Sequence, residues 1–119
     1  MRPATRLFIK QRFTDYYNKT RISAPSSVRE REFGFIFFDE RYPDDIWMRR
    51  HIGFSSGEEM QDYVRSIVPA HAYYSTAYYQ NPHAPTMGDK EWLGADLIFD
   101  LDADHIMHGS YEEMLSRIK

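Results

Sequence analysis

The stretch from Ser55 to Pro69 constrains the fold more than any other, because it writes out one helix together with both of its ends. Ser55-Ser56-Gly57-Glu58-Glu59 offers a capping box in either of two registers. Met60, Tyr63, Val64, Ile67 and Val68 follow at helical spacing, and Pro69 stops the run. The neighbours on both sides read as strands. Arg31 to Phe38 is rich in aromatic and β-branched residues, Pro43 and Asp44-Asp45 mark a turn, and Ile46 to Phe54 reads as a second strand, so 31–54 is expected to form a hairpin with a long turn. Beyond the helix, 71–80 reads as a strand of tyrosines, 81–90 as a Pro/Gly loop and 93–102 as the most apolar strand.

A further helix is expected at each end. Pro3 suits a first helical turn, and Leu7, Ile9, Phe13, Tyr16 and Tyr17 approximate an apolar stripe over residues 3 to 18, with Arg6, Lys10, Gln11 and Lys19 mostly outside it. The segment Ser23-Ala24-Pro25-Ser26-Ser27 is a loop by composition. Ser110 and Glu113 form a second capping box, with Tyr111, Met114 and Ile118 on one face of the helix that follows. The order α-β-β-α-β-β-α has no βαβ regularity, so the expected class is α+β.

With 119 residues, 42% hydrophobic and 16% aromatic, the chain can bury one modest core, as a single domain or part of one. It has no apolar run of membrane-spanning length, and its basic N-terminus lacks the apolar centre of a signal peptide, so a soluble intracellular protein with no membrane role is expected. The absence of cysteine excludes disulfides and thiolate zinc sites within the chain. The net charge of -3 divides unevenly: residues 1–31 carry eight Lys/Arg against two Asp/Glu, and residues 32–119 carry seven against sixteen. A basic arm of this kind fits contact with a polyanion and equally a solvated amphipathic helix.

The chemistry concentrates in Asp96-Leu97-Ile98-Phe99-Asp100-Leu101-Asp102-Ala103-Asp104. If this is a strand, Leu97, Phe99, Leu101 and Ala103 share one face and Asp100 and Asp102 the other, with Cα atoms about 6.6–7 Å apart. Two neighbouring anions at the end of a buried strand repel, and a divalent cation would neutralise them. The bland alternative is a turn-capping or solvated role. An EF-hand loop opening at Asp100 fails, because His105 and Tyr111 stand where glycine and glutamate are needed. A phosphatase of the haloacid-dehalogenase type would continue Asp-x-Asp with Gly-Thr, whereas Ala103-Asp104 follows. A glycosyltransferase-like Asp-x-Asp stays open.

Four blocks, taken in order, carry a resemblance: Arg31-Glu32-Phe33-Gly34-Phe35; Met48-Arg49-Arg50-His51-Ile52-Gly53-Phe54; Pro69 through Tyr78; and Lys90 through His105. Together they resemble the catalytic small subunit of archaeal-eukaryotic type DNA primases, over nearly the whole chain. The resemblance implies a partial prim-pol type catalytic domain, with residues 1–119 as its N-terminal portion, incomplete at the C-terminal end and not expected to turn over alone. It implies template-directed synthesis of short primers from nucleoside triphosphates in DNA replication, with Mg²⁺ or Mn²⁺ as cofactor. The implied partners are a DNA template, nucleoside triphosphates and the primase large subunit in a heterodimer, in the archaeal cytoplasm, or the nucleus of a eukaryote. Residue by residue, Asp100 and Asp102 match the first metal-binding motif, Glu32 matches an active-site glutamate, and Arg50 matches a basic residue near bound nucleotides. The family's Ser-x-His motif, its third metal-binding aspartate and its zinc-binding cysteines have no match here.

The remaining candidates have two readings each. Arg49 and Arg50 must diverge on a strand, and Arg50 is the expected phosphate contact. Tyr73, expected to bind nucleotide, and Tyr74, Tyr78 and Tyr79 suit base stacking or half-buried packing with a wet hydroxyl. His105 and His108 read as loop histidines. Two other functions compete with the primase reading: a non-catalytic module binding single-stranded nucleic acid or nucleotide, and a phosphatase-type hydrolase with Asp100 as nucleophile.

Overall fold

Phe33-Gly34-Phe35-Ile36-Phe37 offers water no polar side chain, and it forms the central strand of a three-stranded antiparallel sheet. The structure is a computed structural model and describes residues 1–98. Strand β1 (Phe33–Phe37) lies between β2 (Arg49–Ile52) and β3 (Pro69–Tyr74), in the order β2-β1-β3. Phe33 and Phe35, two apart, project from the same face and meet Phe54, Met60, Val64, Val68 and Tyr17. That core is aromatic: the Phe33 and Phe54 rings cross edge to face at 4.8 Å, and Phe35 lies 5.1 Å from Tyr63.

Helices α1 (Pro3–Lys19) and α2 (Gly57–Ile67) cover this face. Of the two capping registers the chain uses Ser56, whose hydroxyl accepts from the Glu59 N–H at 3.1 Å. Glu58 and Glu59 in the first turn and Arg65 in the last complement the helix dipole. The stripe of α1 differs from the expected one. Phe13 and Tyr17 pack on the core with Ile9 half-buried, while Leu7 and Tyr16 are exposed, because only one i, i+4 line of a lone helix can face the sheet.

The 71–80 segment is two strands. Ser75 ends β3 by turning its side chain onto the backbone: its hydroxyl accepts from the Glu32 N–H at 3.0 Å and donates to the Ala77 carbonyl at 2.7 Å. Its own N–H donates to the Glu32 carbonyl at 2.8 Å. The chain then leaves the first sheet and forms β4 (Ala77–Tyr79), antiparallel to β5 (Trp92–Ala95). Between them the expected loop contains a one-turn helix, α3 (Met87–Lys90), capped by Thr86. The strand expected over 93–102 is met at Trp92–Ala95; Asp96 to Ile98 lie outside any strand, and Leu97, expected on a buried face, is 84% exposed. The short β4 supplies pairing only as far as the bond from the Asp96 N–H to the Thr76 carbonyl.

The described residues thus mix helices with two small antiparallel sheets, in keeping with the α+β class. Asp100, Asp102, His105, His108 and the helix expected from Ser110 lie outside the described residues. No described helix is long and apolar enough to cross a membrane.

Candidate functional site

Arg31 and Glu32 directly precede the apolar run of β1, and both are buried. Each needs partners, since an isolated charge out of water is costly. As neighbours in extended chain they point opposite ways, and each organises its own set of contacts.

Glu32 is gripped by β2. Arg50 Nε donates to Oε2 at 3.0 Å and Arg50 Nη2 donates to Oε1 at 3.2 Å, a two-point contact. The His51 N–H donates to Oε2 at 3.0 Å. A β-bulge makes this possible. Phe33 pairs with Ile52 and Phe35 with Arg49, so two steps on β1 oppose three on β2, and His51 takes up the difference with φ of 64°. The bulge releases the His51 N–H from the ladder and aims it at the carboxylate. His51 Nδ1 sits 3.8 Å from Oε2, buried and without a hydrogen-bond partner.

A second cation reaches Glu32. Lys90 is 0% exposed; its Nζ lies 3.7 Å from Glu32 Oε1 and donates to the carbonyls of Pro82 at 2.6 Å and Ala84 at 2.5 Å. Its ammonium also stands 5.8 Å over the Tyr79 ring. Burial by itself would raise the Glu32 pKa, but the Arg50 hydrogen bonds, the His51 N–H and the Lys90 charge together hold it below the usual glutamate range. Burial pulls Lys90 below the usual lysine range, partly opposed by Glu32 and assisted by the positive charge of Arg50.

Arg31, 2% exposed, is the counterpart on the other side of the chain. Its Nε donates to the Ser26 carbonyl at 2.7 Å, and its Nη1 to the Ser75 carbonyl at 2.8 Å and to Asp96 Oδ2 at 2.9 Å. The guanidinium lies between the Tyr74 and Tyr78 rings, 5.1 and 4.7 Å from their centroids, and donates to the Tyr78 hydroxyl at 3.2 Å. That hydroxyl in turn donates to Asp96. The Tyr78 hydroxyl and Arg31 lower the Asp96 pKa, and the same hydroxyl is raised, chiefly by its bond to Asp96. Asp96, the first residue of the carboxylate segment, is therefore tied to the residue next to Glu32.

Glu32, Arg50 and Tyr73 come together. They line one open groove of about 160 Å³ with Gly34, Met48 and Ser75. Tyr73 is the cross-strand partner of Gly34, and its ring is exposed. Arg49 diverges as expected and stacks over Phe37 at 5.2 Å. Of the other tyrosines, Tyr74 also lines the groove and, with Tyr78, flanks Arg31, while Tyr79 is buried. Sequence reasoning missed the roles of Arg31, Lys90 and Asp96. Adjacent charges leading into an apolar strand were the available signal for Arg31; nothing local marks Lys90. Among the described residues, no three of His, Asp and Glu gather as a metal site.

No family model matches the chain. It is 86% identical over 119 residues to the DNA primase small subunit PriS of Methanospirillum hungatei, of which it covers 31%. It is 56% identical over 119 residues to that of Methanosphaerula palustris, covering 31%, and 55% identical over 119 residues to that of Methanoregula boonei, covering 32%. The chain spans about a third of the length of these curated relatives. The resemblance read from four blocks of sequence therefore extends across the entire chain, which is similar from end to end to the archaeal DNA primase small subunit PriS.

Proposed function

We propose that this chain is part of a prim-pol type catalytic domain that makes short primers on a DNA template from nucleoside triphosphates, in the cytoplasm of an archaeal cell and alongside a primase large subunit. The observation that carries the reading is the groove that joins Glu32, Arg50 and Tyr73, in a chain 86% identical to a DNA primase small subunit.

In this reading Arg50 meets phosphate. Its guanidinium is half exposed and faces the groove, while Glu32 fixes its plane from behind. Glu32 thereby acts as a positioning residue for Arg50. Tyr73 offers an exposed ring for stacking a base or ribose. Mg²⁺ or Mn²⁺ would be held by Asp100 and Asp102. The donor chemistry supports keeping Glu32 out of the ligand set, since both of its oxygens are already engaged by Arg50 and His51, and carboxylate oxygen is what a hard cation takes. When bound, the cations supply charge neutralisation at the triphosphate and activation of the attacking hydroxyl. Arg31 fixes Asp96, which precedes Asp100 by four positions in the sequence.

The test is a segment exchange. The matching segment of the Methanospirillum hungatei small subunit is replaced by this chain, and primer synthesis is followed on single-stranded DNA with Mg²⁺ or Mn²⁺. Activity in the exchange that is lost in Asp100→Asn and in Asp102→Asn supports the reading; activity indifferent to both substitutions sinks it. If the chain instead binds oligonucleotide in a strongly salt-dependent way and the exchange makes no primers, a non-catalytic nucleic-acid module replaces it.

A further inference from the structure

We propose that Lys90 is a charge-balancing positioning residue: its buried ammonium offsets Glu32 from within, so that Arg50 keeps net positive charge to offer phosphate at the groove. This rests on reading the groove as a phosphate site.

A bidentate Arg–Glu pair is electrically neutral, and a neutral pair attracts an incoming phosphate poorly. Arg50 is engaged by both Glu32 oxygens at 3.0 and 3.2 Å, so on its own the pair would present little net charge to the groove. Lys90 changes that count. Its Nζ is 3.7 Å from Glu32 Oε1, close enough for strong attraction and too long for a direct hydrogen bond. With Lys90 included, two cations share one carboxylate, and the excess positive charge sits on the member that faces outward. Arg50 is 52% exposed on its side chain, against 8% for Glu32 and 0% for Lys90. The buried ammonium cannot reach a ligand, so it acts only through Glu32.

A second observation fits the role. The ammonium is held in place by the backbone carbonyls of Pro82 and Ala84, which are dipoles without net charge. Those contacts satisfy its donors without neutralising it, which leaves its charge directed at Glu32. Were Lys90 present only to fasten the 82–90 loop, a neutral donor would serve as well.

The experiment measures binding of inorganic tripolyphosphate to the full 119-residue chain by calorimetry, for wild type, Arg50→Met, Lys90→Gln, Glu32→Gln and the Glu32→Gln/Lys90→Gln double variant. Lys90→Gln keeps an amide that can donate to carbonyls and removes the charge. The expected result is loss of binding in Arg50→Met, affinity weakened about tenfold in Lys90→Gln, and recovery to within about threefold of wild type in the double variant. A wild type that does not bind, or an Arg50→Met that binds equally well, overturns the groove as a phosphate site and this inference with it. Binding that needs Arg50 but is unchanged in Lys90→Gln, or weakened equally with and without Glu32→Gln, overturns the inference and leaves the groove reading standing. Where Lys90→Gln is too unstable for binding work, the same cycle is read in thermal midpoints. Glu32→Gln must then recover the loss, and simple addition of the two losses overturns the proposal.

Discussion

Arg50 and Glu32 meet through two parallel hydrogen bonds of 3.0 and 3.2 Å, made possible because the bulge at His51 turns β2 toward the end of β1. Lysine cannot reproduce a two-point contact, so Arg50→Lys should retain the charge and lose the geometry. We expect Arg50→Lys to lower stability by about 1 kcal/mol and Arg50→Met by about 1–3 kcal/mol, since Glu32 stays buried with fewer partners. Urea unfolding of both variants at neutral pH checks the order, and a lysine variant as stable as wild type would show that the fork is incidental.

The pH dependence follows from the same carboxylate. Glu32 has a folded pKa below its ordinary value of 4.5, so its contribution is fully present above 4.5 and is lost as pH falls through the lowered folded value. Glu32→Gln has no such group to protonate. Wild type should therefore lose more thermal stability than Glu32→Gln on acidification below 4.5, while the gap between them changes little from there to neutral pH. Parallel curves across the acid range would contradict the arrangement.

Arg31 is a different case, because it fastens three segments at once. Arg31→Met removes its hydrogen bonds to Ser26, Ser75, Tyr78 and Asp96 together. A loss of about 2–4 kcal/mol is expected in chemical denaturation, from unmatched polar groups and lost packing between Tyr74 and Tyr78. Arg31→Lys should rescue little of it, since one ammonium cannot span the same partners.

Glu91 caps the end of α3 with φ of 57° and is exposed. A side chain in this region is strained and glycine is not, so Glu91→Gly should raise stability by about 0.5–1 kcal/mol after the entropy cost of glycine. A rise of a few degrees in thermal midpoint is the expected reading. A fall would mean that the Glu91 side chain contributes more than the backbone strain removes.

Where local rules decide structure, the sequence was readable. Ser56, the apolar spacing through Ile67 and the stop at Pro69 all act within a few residues, and α2 forms as they require. The same holds for the α+β class and for the pairing of the 31–38 and 46–54 segments. What stayed hidden depends on partners far along the chain. Leu7 and Tyr16 look like core residues on a helical wheel, but which line of α1 faces inward is set by Phe13 and Tyr17 meeting the sheet. Ser75 splits the tyrosine strand by bonding to Glu32, forty-three residues away. Within the site, Glu32, Arg50 and Tyr73 were named from sequence blocks and do share a groove, whereas Lys90 carried no local sign of burial. Its place comes from Pro82, Ala84, the Tyr79 ring and Glu32 meeting around its ammonium, and Glu32 is a distant partner in sequence. Asp100 and Asp102 lie outside the described residues.

The grip of Lys90 on the 82–90 loop touches only main-chain oxygens, those of Pro82 and Ala84. It is therefore indifferent to which side chains the rest of the loop carries. His83 and residues 85 to 89 are exposed, and a Cβ placed on Gly88 meets nothing within 4 Å. Because the chain contains no cysteine, a single one introduced at position 88 would be the unique thiol of the molecule. The loop can thus carry a fluorophore or spin label a few residues from the buried ammonium, giving an optical or magnetic reporter that leaves the groove residues themselves unaltered.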